Sequence, residues 1–137
     1  MVGGVAFVLA ASNIITLNHT ATIGAGAVLG VTDIGANPPA PGCPTASTNY
    51  GPGPASIAWN TIPAGSTARH YVCVINTGTA PDTITLSGGP SIVYGAVTSP
   101  QAGSTLISGG TLAIELDWAV PTTAPVGPVP SFQTTIT

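Results

Sequence analysis

Few side chains in this 137-residue chain could do chemistry. The two histidines, His19 and His70, are the candidates for a general base. A serine-type nucleophile would need such a base held by a carboxylate beside an oxyanion site, and the sequence has no nucleophile-elbow motif. His19 is in phase with an apolar strand face, and His70 follows Arg69 on a predicted strand. Both features favour partly buried or rim histidines, so we expect no catalytic site and no enzyme.

A cation site is the second possibility that the side chains offer. Glu115 and Asp117 project from the same strand face because they lie two residues apart. They could share a calcium ion, with Asp82 or backbone carbonyls completing the shell. Hard cations usually take more than two carboxylates, so solvated charges are favoured, with Arg69 pairing with one of them across strands. No His/Cys cluster has zinc spacing, and we expect no metal and no cofactor.

Charge is scarce throughout the chain. Charged residues make up 4% of it, with one strong base and four acids, whereas about a quarter of a typical soluble domain is charged. One arginine cannot neutralise a run of phosphates or an anionic membrane surface, so we expect no nucleic-acid partner. Near-zero charge promotes association between copies, which predicts a surface that packs against something.

The two cysteines, Cys43 and Cys73, are the natural pair for one disulfide. The alternative is two buried free thiols in a cytosolic protein, but the bias toward Thr, Ser, Gly and Pro favours an extracellular setting. The triplet Asn18-His19-Thr20 is a sequon that makes Asn18 a possible N-glycosylation site. The apolar run at residues 2–11 is shorter than the roughly 20 residues of a transmembrane helix. We expect no membrane span in the mature form.

Strand patterns dominate the chain. Its 18 glycines and 14 prolines leave no window of helical length free of both them and β-branched residues. Odd positions from Val5 to Val31 are almost continuously apolar, which is too long for one strand and predicts two in series, broken near Asn13 or near residues 24–26. Further strands are predicted at residues 56–62, 67–76, 83–87, 92–98, 105–108, 111–120 and 131–137.

Short strands at regular spacing, separated by turn residues, indicate a β-sandwich. The clearest strand is residues 111–120, in which the even positions are apolar and face inward while Glu115 and Asp117 face water. Trp59 and Trp118 are in phase with apolar neighbours and are predicted to fill the core. The loop at residues 37–54 resembles a linker in composition, but a disulfide at Cys43 would fix it to the sheet.

One stretch resembles a known family. Ile-Ala-Trp at 57–59 precedes Ile-Pro-Ala-Gly-Ser at 62–66, Val-Cys-Val-Ile-Asn-Thr-Gly at 72–78, Pro81 and Thr-Ile-Thr-Leu at 83–86. This order is similar to the immunoglobulin-like modules of archaeal cell-surface proteins. With its apolar N-terminus and low charge, the chain resembles archaeal extracellular filament subunits of the thread and bundling-pilus type. In those filaments the N-terminal strand of one subunit completes the sandwich of its neighbour.

The resemblance implies an all-β, immunoglobulin-like β-sandwich of about seven or eight strands with an extended N-terminal strand. Residues 1–20 would be the donor strand and residues 21–137 the sandwich domain. The protein would be a structural subunit of an extracellular, cell-surface homopolymer whose partner is a second copy of itself. The expected donor-strand anchors are Val5, Phe7, Leu9, Ile15 and Leu17.

Other positions for the N-terminal segment stay open. It could pair in cis as a strand of its own sandwich, insert in trans into a neighbour, or form a helix as in type IV pilins. Gly3, Gly4 and residues 13–16 oppose a long helix. Trans pairing would bury apolar side chains and build a fibre, because a head-to-tail interface does not close. The competing functions are a monomeric cell-surface adhesion or carbohydrate-binding module and an atypical type IV pilin.

Overall fold

The fold is all-β, as the sequence predicts. A computed structural model describes residues 19–23, 29–51, 55–57, 59 and 61–137. These residues form ten strands and two short 3₁₀ turns, at Ser47–Asn49 and Ile92–Tyr94. The strands are β1 His19–Ile23, β2 Leu29–Gly35, β3 Ala55–Ile57, β4 Thr67–Asn76, β5 Asp82–Thr83, β6 Leu86–Gly88, β7 Ala96–Thr98, β8 Thr105–Leu106, β9 Thr111–Ala119 and β10 Phe132–Ile136.

Eight of the ten strands form two four-stranded sheets. The first sheet has the order β3-β1-β10-β6 and the second has the order β2-β4-β9-β7, while β5 and β8 form a separate two-stranded ladder. The longest pairing joins β4 and β9, antiparallel, from Thr67 opposite Ala119 to Ile75 opposite Thr111. The first sheet contains one parallel pair, β1 with β10. The architecture is a β-sandwich.

The core lies between the two sheets. Strand β9 alternates as predicted, with Ile114, Leu116 and Trp118 fully buried. Trp118 makes edge-to-face contacts with Trp59, at 5.5 Å between ring centroids, and with Phe132 of β10, at 5.2 Å. Full burial of an aliphatic side chain such as that of Ile114 or Leu116 contributes about 1.5–3 kcal/mol. The sequence assignment of both tryptophans to the core is confirmed.

The segment predicted as one strand over residues 92–98 is divided. Ile92–Tyr94 is a 3₁₀ turn, and the strand begins only at Ala96. Gly95 separates the two pieces with φ 92°, in the left-handed region that favours glycine. A Cβ atom at this position would lie 1.9 Å from the carbonyl oxygen of Ala119. The close approach to β9 therefore needs a glycine. The 3₁₀ turn before this glycine delays the start of the strand to Ala96.

The segment predicted as a strand over residues 83–87 also changes partner midway. Asp82–Thr83 pairs with β8, whereas Leu86–Gly88 pairs with β10. Between them, the amide of Ile84 donates to the carbonyl of Ser104 and the amide of Thr85 to that of Thr137. The backbone stays hydrogen-bonded while it crosses from one ladder to the next, so a single apolar pattern covers two strands.

Candidate functional site

The first sheet is completed by a strand from near the N-terminus. β1 lies between β3 and β10 and pairs with both. It runs parallel to β10, with His19 opposite Phe132 and Ile23 opposite Ile136. It runs antiparallel to β3, with Ala21 opposite Ala55. We call the gap that β1 fills between these two strands the β1 slot. Removing β1 would leave unpaired backbone on the facing edges of β3 and β10.

The chain is hydrogen-bonded to the sheets at two places where it crosses between them. Beside β2, Gly51 exchanges two backbone hydrogen bonds with Val31, at 2.9 and 3.0 Å, shortly before the chain reaches β3 in the other sheet. Where the chain passes from β6 to β7, the amide of Gly89 donates to the carbonyl of Gln133 at 2.9 Å, which extends the pairing of β6 with β10.

The predicted donor-strand anchors lie outside the described residues, as does the possible glycosylation site Asn18. They are Val5, Phe7, Leu9, Ile15 and Leu17. The described chain begins at His19, and β1 includes residues on both sides of position 20, the predicted boundary between the donor strand and the sandwich domain. Of the predicted N-terminal donor segment, the structure therefore describes only the start of β1, which pairs with β3 and β10.

The disulfide predicted from the sequence is present. Cys43 and Cys73 are joined, 30 residues apart in sequence, and Cys73 is fully buried on β4. The loop that carries Cys43 is also held by the Tyr50 hydroxyl, which donates to the carbonyl of Pro44 at 2.7 Å. Tyr50 packs over Gly30 of β2, where a Cβ atom would lie 2.9 Å from that of the tyrosine. The loop is therefore fastened to the outside of the second sheet.

His70 is a buried, paired histidine. Its side chain is on β4, the residue is 6% exposed, and its Nε2 lies 2.5 Å from Oδ1 of Asp33 on β2. Its ring is also 5.7 Å from that of Trp59. The contact joins β2 to β4 where the register of β2 shifts between Asp33 and Gly35. Sequence reasoning missed the Asp33 partner, because the two residues are 37 positions apart and the bulge hides their alignment.

Arg69 stands between two carboxylates on the outer face of the second sheet. Its Nε lies 2.7 Å from an oxygen of Glu115 and 2.7 Å from one of Asp117. The sequence predicts a pair with one of these acids, and the structure has contacts with both. Burial raises the pKa of Glu115, as do a hydrogen bond and charge repulsion from Asp117. The guanidinium is half exposed, so solvent screens both ion pairs and weakens them.

Among residues 19–23, 29–51, 55–57, 59 and 61–137, there is no group of three or more His, Cys, Asp or Glu side chains able to hold a metal ion. The same part of the chain contains no helix long and apolar enough to cross a membrane.

No protein-family model matches this chain, and no curated protein sequence matches it either. The class that the fold defines is an all-β sandwich with one disulfide. Its most distinctive feature is the central strand β1 near the N-terminus.

Proposed function

We propose that this protein is the structural subunit of an extracellular homopolymeric filament, assembled head-to-tail by donation of its N-terminal strand. The observation that carries the proposal is the position of β1, a central strand from near the N-terminus that pairs on both sides. The sequence resemblance to archaeal thread and bundling-pilus subunits points to the same class of protein.

The β1 slot can be filled by either of two chains. The backbone hydrogen bonds to β3 and β10 are the same whether β1 belongs to the same subunit or to a second copy. Only five residues, 24–28, separate β1 in the sequence from β2 in the other sheet. Exchange of an identical element between copies is a low-cost route to association.

Exchange in one direction builds a fibre. Each subunit would give its N-terminal strand to one neighbour and receive a strand from another, and such a heterologous interface does not close on itself. The anchors at positions 5, 7, 9, 15 and 17 would accompany β1 onto the receiving subunit. Scarce charge permits close stacking, since one base and four acids per chain provide little repulsion between copies.

An extracellular location fits the disulfide. Structural disulfides persist in oxidising compartments and are rare in the cytosol, and Cys43 and Cys73 are bonded across a 30-residue separation. Low charge and abundant hydroxyl side chains suit a surface that other copies cover.

Cross-linking across the β1 slot tests the direction of exchange. Ala21 and Ala55 are directly opposed on antiparallel strands, and the Cα atoms of directly opposed residues are about 4.5–5.5 Å apart, within the range that a disulfide spans. In an Ala21→Cys/Ala55→Cys variant, oxidation should give a ladder of covalent oligomers on a non-reducing gel. Mass mapping should show Cys43 still bonded to Cys73.

Mixing two single variants supplies the control. Equimolar Ala21→Cys and Ala55→Cys proteins, assembled together, can form a 21–55 link only between different chains. Links found solely within single chains of the double variant would sink the proposal, because β1 would then stay in its own sandwich.

Deletion of residues 1–12 tests the donor segment by a different route. The truncated protein loses Val5, Phe7 and Leu9, and we expect no normal filaments by negative-stain electron microscopy. Normal filaments from the truncated protein would contradict the proposal. A monodisperse full-length monomer on gel filtration would favour the cell-surface binding module instead.

A further inference from the structure

β3 is one wall of the β1 slot and lies at the edge of the first sheet. Among the described residues, its only strand partner is β1. The other wall, β10, pairs with β6 on its far side and keeps that partner when β1 leaves. Pairing of three residues with a single neighbour gives little stability of its own. Contacts other than those with β1 must therefore position β3 if the slot is to receive a strand.

The chain that leaves β3 is held in the core. Ile57, the last residue of β3, is 1% exposed, and Trp59 is 5% exposed. The Trp59 ring lies 5.5 Å from that of Trp118 on β9 and 5.7 Å from that of His70 on β4. Both neighbours belong to the second sheet, so this attachment of β3 does not depend on β1.

The chain that leads toward β3 lies over the outside of the second sheet. We call residues 36–51 the strap. None of its residues is buried, so it has no apolar core of its own. The Cys43–Cys73 disulfide joins it to β4, and Tyr50 packs over Gly30 of β2. A few discrete attachments, one of them covalent, therefore hold the strap.

The strap ends close to β3. Its last residue, Gly51, exchanges two backbone hydrogen bonds with Val31 of β2, and Ala55, the first residue of β3, follows four positions later. Four residues span at most about 14 Å, so β3 must begin within that distance of Gly51. Cα atoms of β3 lie within 8 Å of Cα atoms of β2, although the two strands belong to different sheets. The end of the strap thus limits where β3 can lie.

We infer that the strap and its disulfide hold β3 in position as a preformed wall of the β1 slot, so that the slot can accept a strand after β1 has left. A wall that moved freely would have to be ordered each time a strand entered, and preorganisation removes that cost. The inference deepens the proposed function and rests on it for the origin of the entering strand. The positioning of β3 is the same whichever chain supplies that strand.

Two cross-links compare the position of β3 with that of a control strand. The Ala21→Cys/Ala55→Cys variant measures how readily β3 lies beside β1, through the rate at which oxidation forms the 21–55 link. The Ser87→Cys/Thr135→Cys variant measures the pairing of β6 with β10, in which these two positions are directly opposed. β6 lies on the far side of β10 from the slot, so the 87–135 link is the matched control.

Loss of the disulfide should slow only the first of these links. In a Cys43→Ala/Cys73→Ala background, we expect the rate of the 21–55 link to fall by about tenfold or more, because the effective concentration of position 55 beside position 21 falls. The 87–135 link should form as fast as it does with the disulfide in place. An unchanged 21–55 rate overturns the inference. An equal fall in both rates also overturns it, since the effect would then be a general loss of stability.

A second variant disturbs the strap while the disulfide stays intact. A Cβ atom at Gly30 would lie 2.9 Å from the Cβ of Tyr50 and 3.1 Å from Cγ2 of Ile75, so Gly30→Ala must displace the end of the strap or its neighbour. We expect the rate of the 21–55 link to fall by about threefold or more. Gly42→Ala is the matched control within the strap, because a Cβ atom there meets no atom within 4 Å. Equal 21–55 rates in the Gly30→Ala and Gly42→Ala proteins overturn the inference.

The same cross-links separate this inference from the proposed function. Whether the 21–55 link forms within one chain or between chains tests strand donation, whereas the change in its rate without the disulfide tests the strap. Links confined to single chains that slow without the disulfide support the strap and contradict donation between subunits. An intermolecular ladder that forms equally fast without the disulfide supports donation and contradicts the strap.

Discussion

Thr134 holds a buried hydroxyl without a hydrogen-bond partner among the described residues. The residue is 1% exposed on β10, where the same strand face continues to the buried Ile136. An unpaired buried hydroxyl costs about 1–3 kcal/mol. We expect Thr134→Val, which keeps the shape of the side chain and removes the hydroxyl, to raise the free energy of unfolding by about 1 kcal/mol.

Chemical denaturation measures this change. Thr134→Ser is the matched control, because it keeps the hydroxyl and removes the methyl group, and it should lower the free energy of unfolding. If Thr134→Val were destabilising, the hydroxyl would have a partner that the structure does not hold.

Glu115 makes the free energy of unfolding depend on pH in a predictable direction. Its pKa is raised by burial, together with a hydrogen bond and charge repulsion from Asp117. A carboxyl with a raised pKa binds its proton more tightly in the folded state than in the unfolded chain. Its contribution to stability is therefore full in acid and declines as the pH rises from about 4.3, the ordinary glutamate value, through the raised pKa.

The Glu115→Gln variant should lack this decline. We expect the free energy of unfolding of the wild-type protein to fall relative to that of the variant as the pH is raised from about 4 to 7. Urea denaturation at several pH values measures both curves. Parallel curves would show that Glu115 titrates no differently in the folded and unfolded states.

Among the secondary-structure elements, the loop held by Cys43 depends on a covalent link to β4. The disulfide spans 30 residues, and closing a loop of that size in the unfolded chain corresponds to about 3–4 kcal/mol in the chain-entropy model. We expect Cys43→Ala to lower the free energy of unfolding by about this amount.

A double variant distinguishes the effect of the covalent bond from that of side-chain packing. Cys73 is fully buried, so the Cys43→Ala/Cys73→Ala double variant adds a small cavity to the loss of the disulfide. Most of the loss should already occur in Cys43→Ala, which leaves the Cys73 side chain in place. If only the double variant were destabilised, packing of the sulfur rather than loop closure would account for the effect.

The elements with unbroken two-residue periodicity could be predicted from the sequence. The bounds of β4, Thr67–Asn76, agree with the prediction, and β9 ends one residue earlier than predicted. The prediction failed at Ile92–Tyr94, where apolar residues form a 3₁₀ turn because Gly95 carries the chain against Ala119. Local patterns report which face is apolar, but they contain no information on such tertiary contacts.

The candidate site was predictable only in part. The pairing of Cys43 with Cys73 follows from there being two cysteines in an extracellular type of sequence. The pairing of His70 with Asp33 does not, since it depends on a bulge in β2. The position of β1 between β3 and β10 also could not be derived, because alternation identifies a strand but not its neighbours.

At the scale of the whole molecule, the two sheets differ in how their strands pair. β1 is the parallel partner of β10 and enters the first sheet from a short link, whereas the second sheet is antiparallel throughout and is held by the long β4–β9 pairing. The proposed exchange of β1 would leave all the pairings of the second sheet in place.

The distribution of charge predicts how salt affects association. With one strong base and four acids per chain, and with Arg69 already contacting two of the acids, few ion pairs remain to join copies. Added salt screens charges and shortens the Debye length, which is about 10 Å at 0.1 M salt, but screening leaves backbone pairing and apolar burial unaffected. Salts such as sulfate, which are excluded from the protein surface, strengthen apolar burial. We therefore expect self-association, followed by light scattering and sedimentation, to be unchanged between about 0.05 and 0.5 M sodium chloride and to increase with ammonium sulfate.

Arg69→Gln is the matched control and should assemble like the wild-type protein. Dissolution of the assemblies by sodium chloride, or loss of assembly in Arg69→Gln, would mean that ion pairs rather than strand pairing hold the copies together.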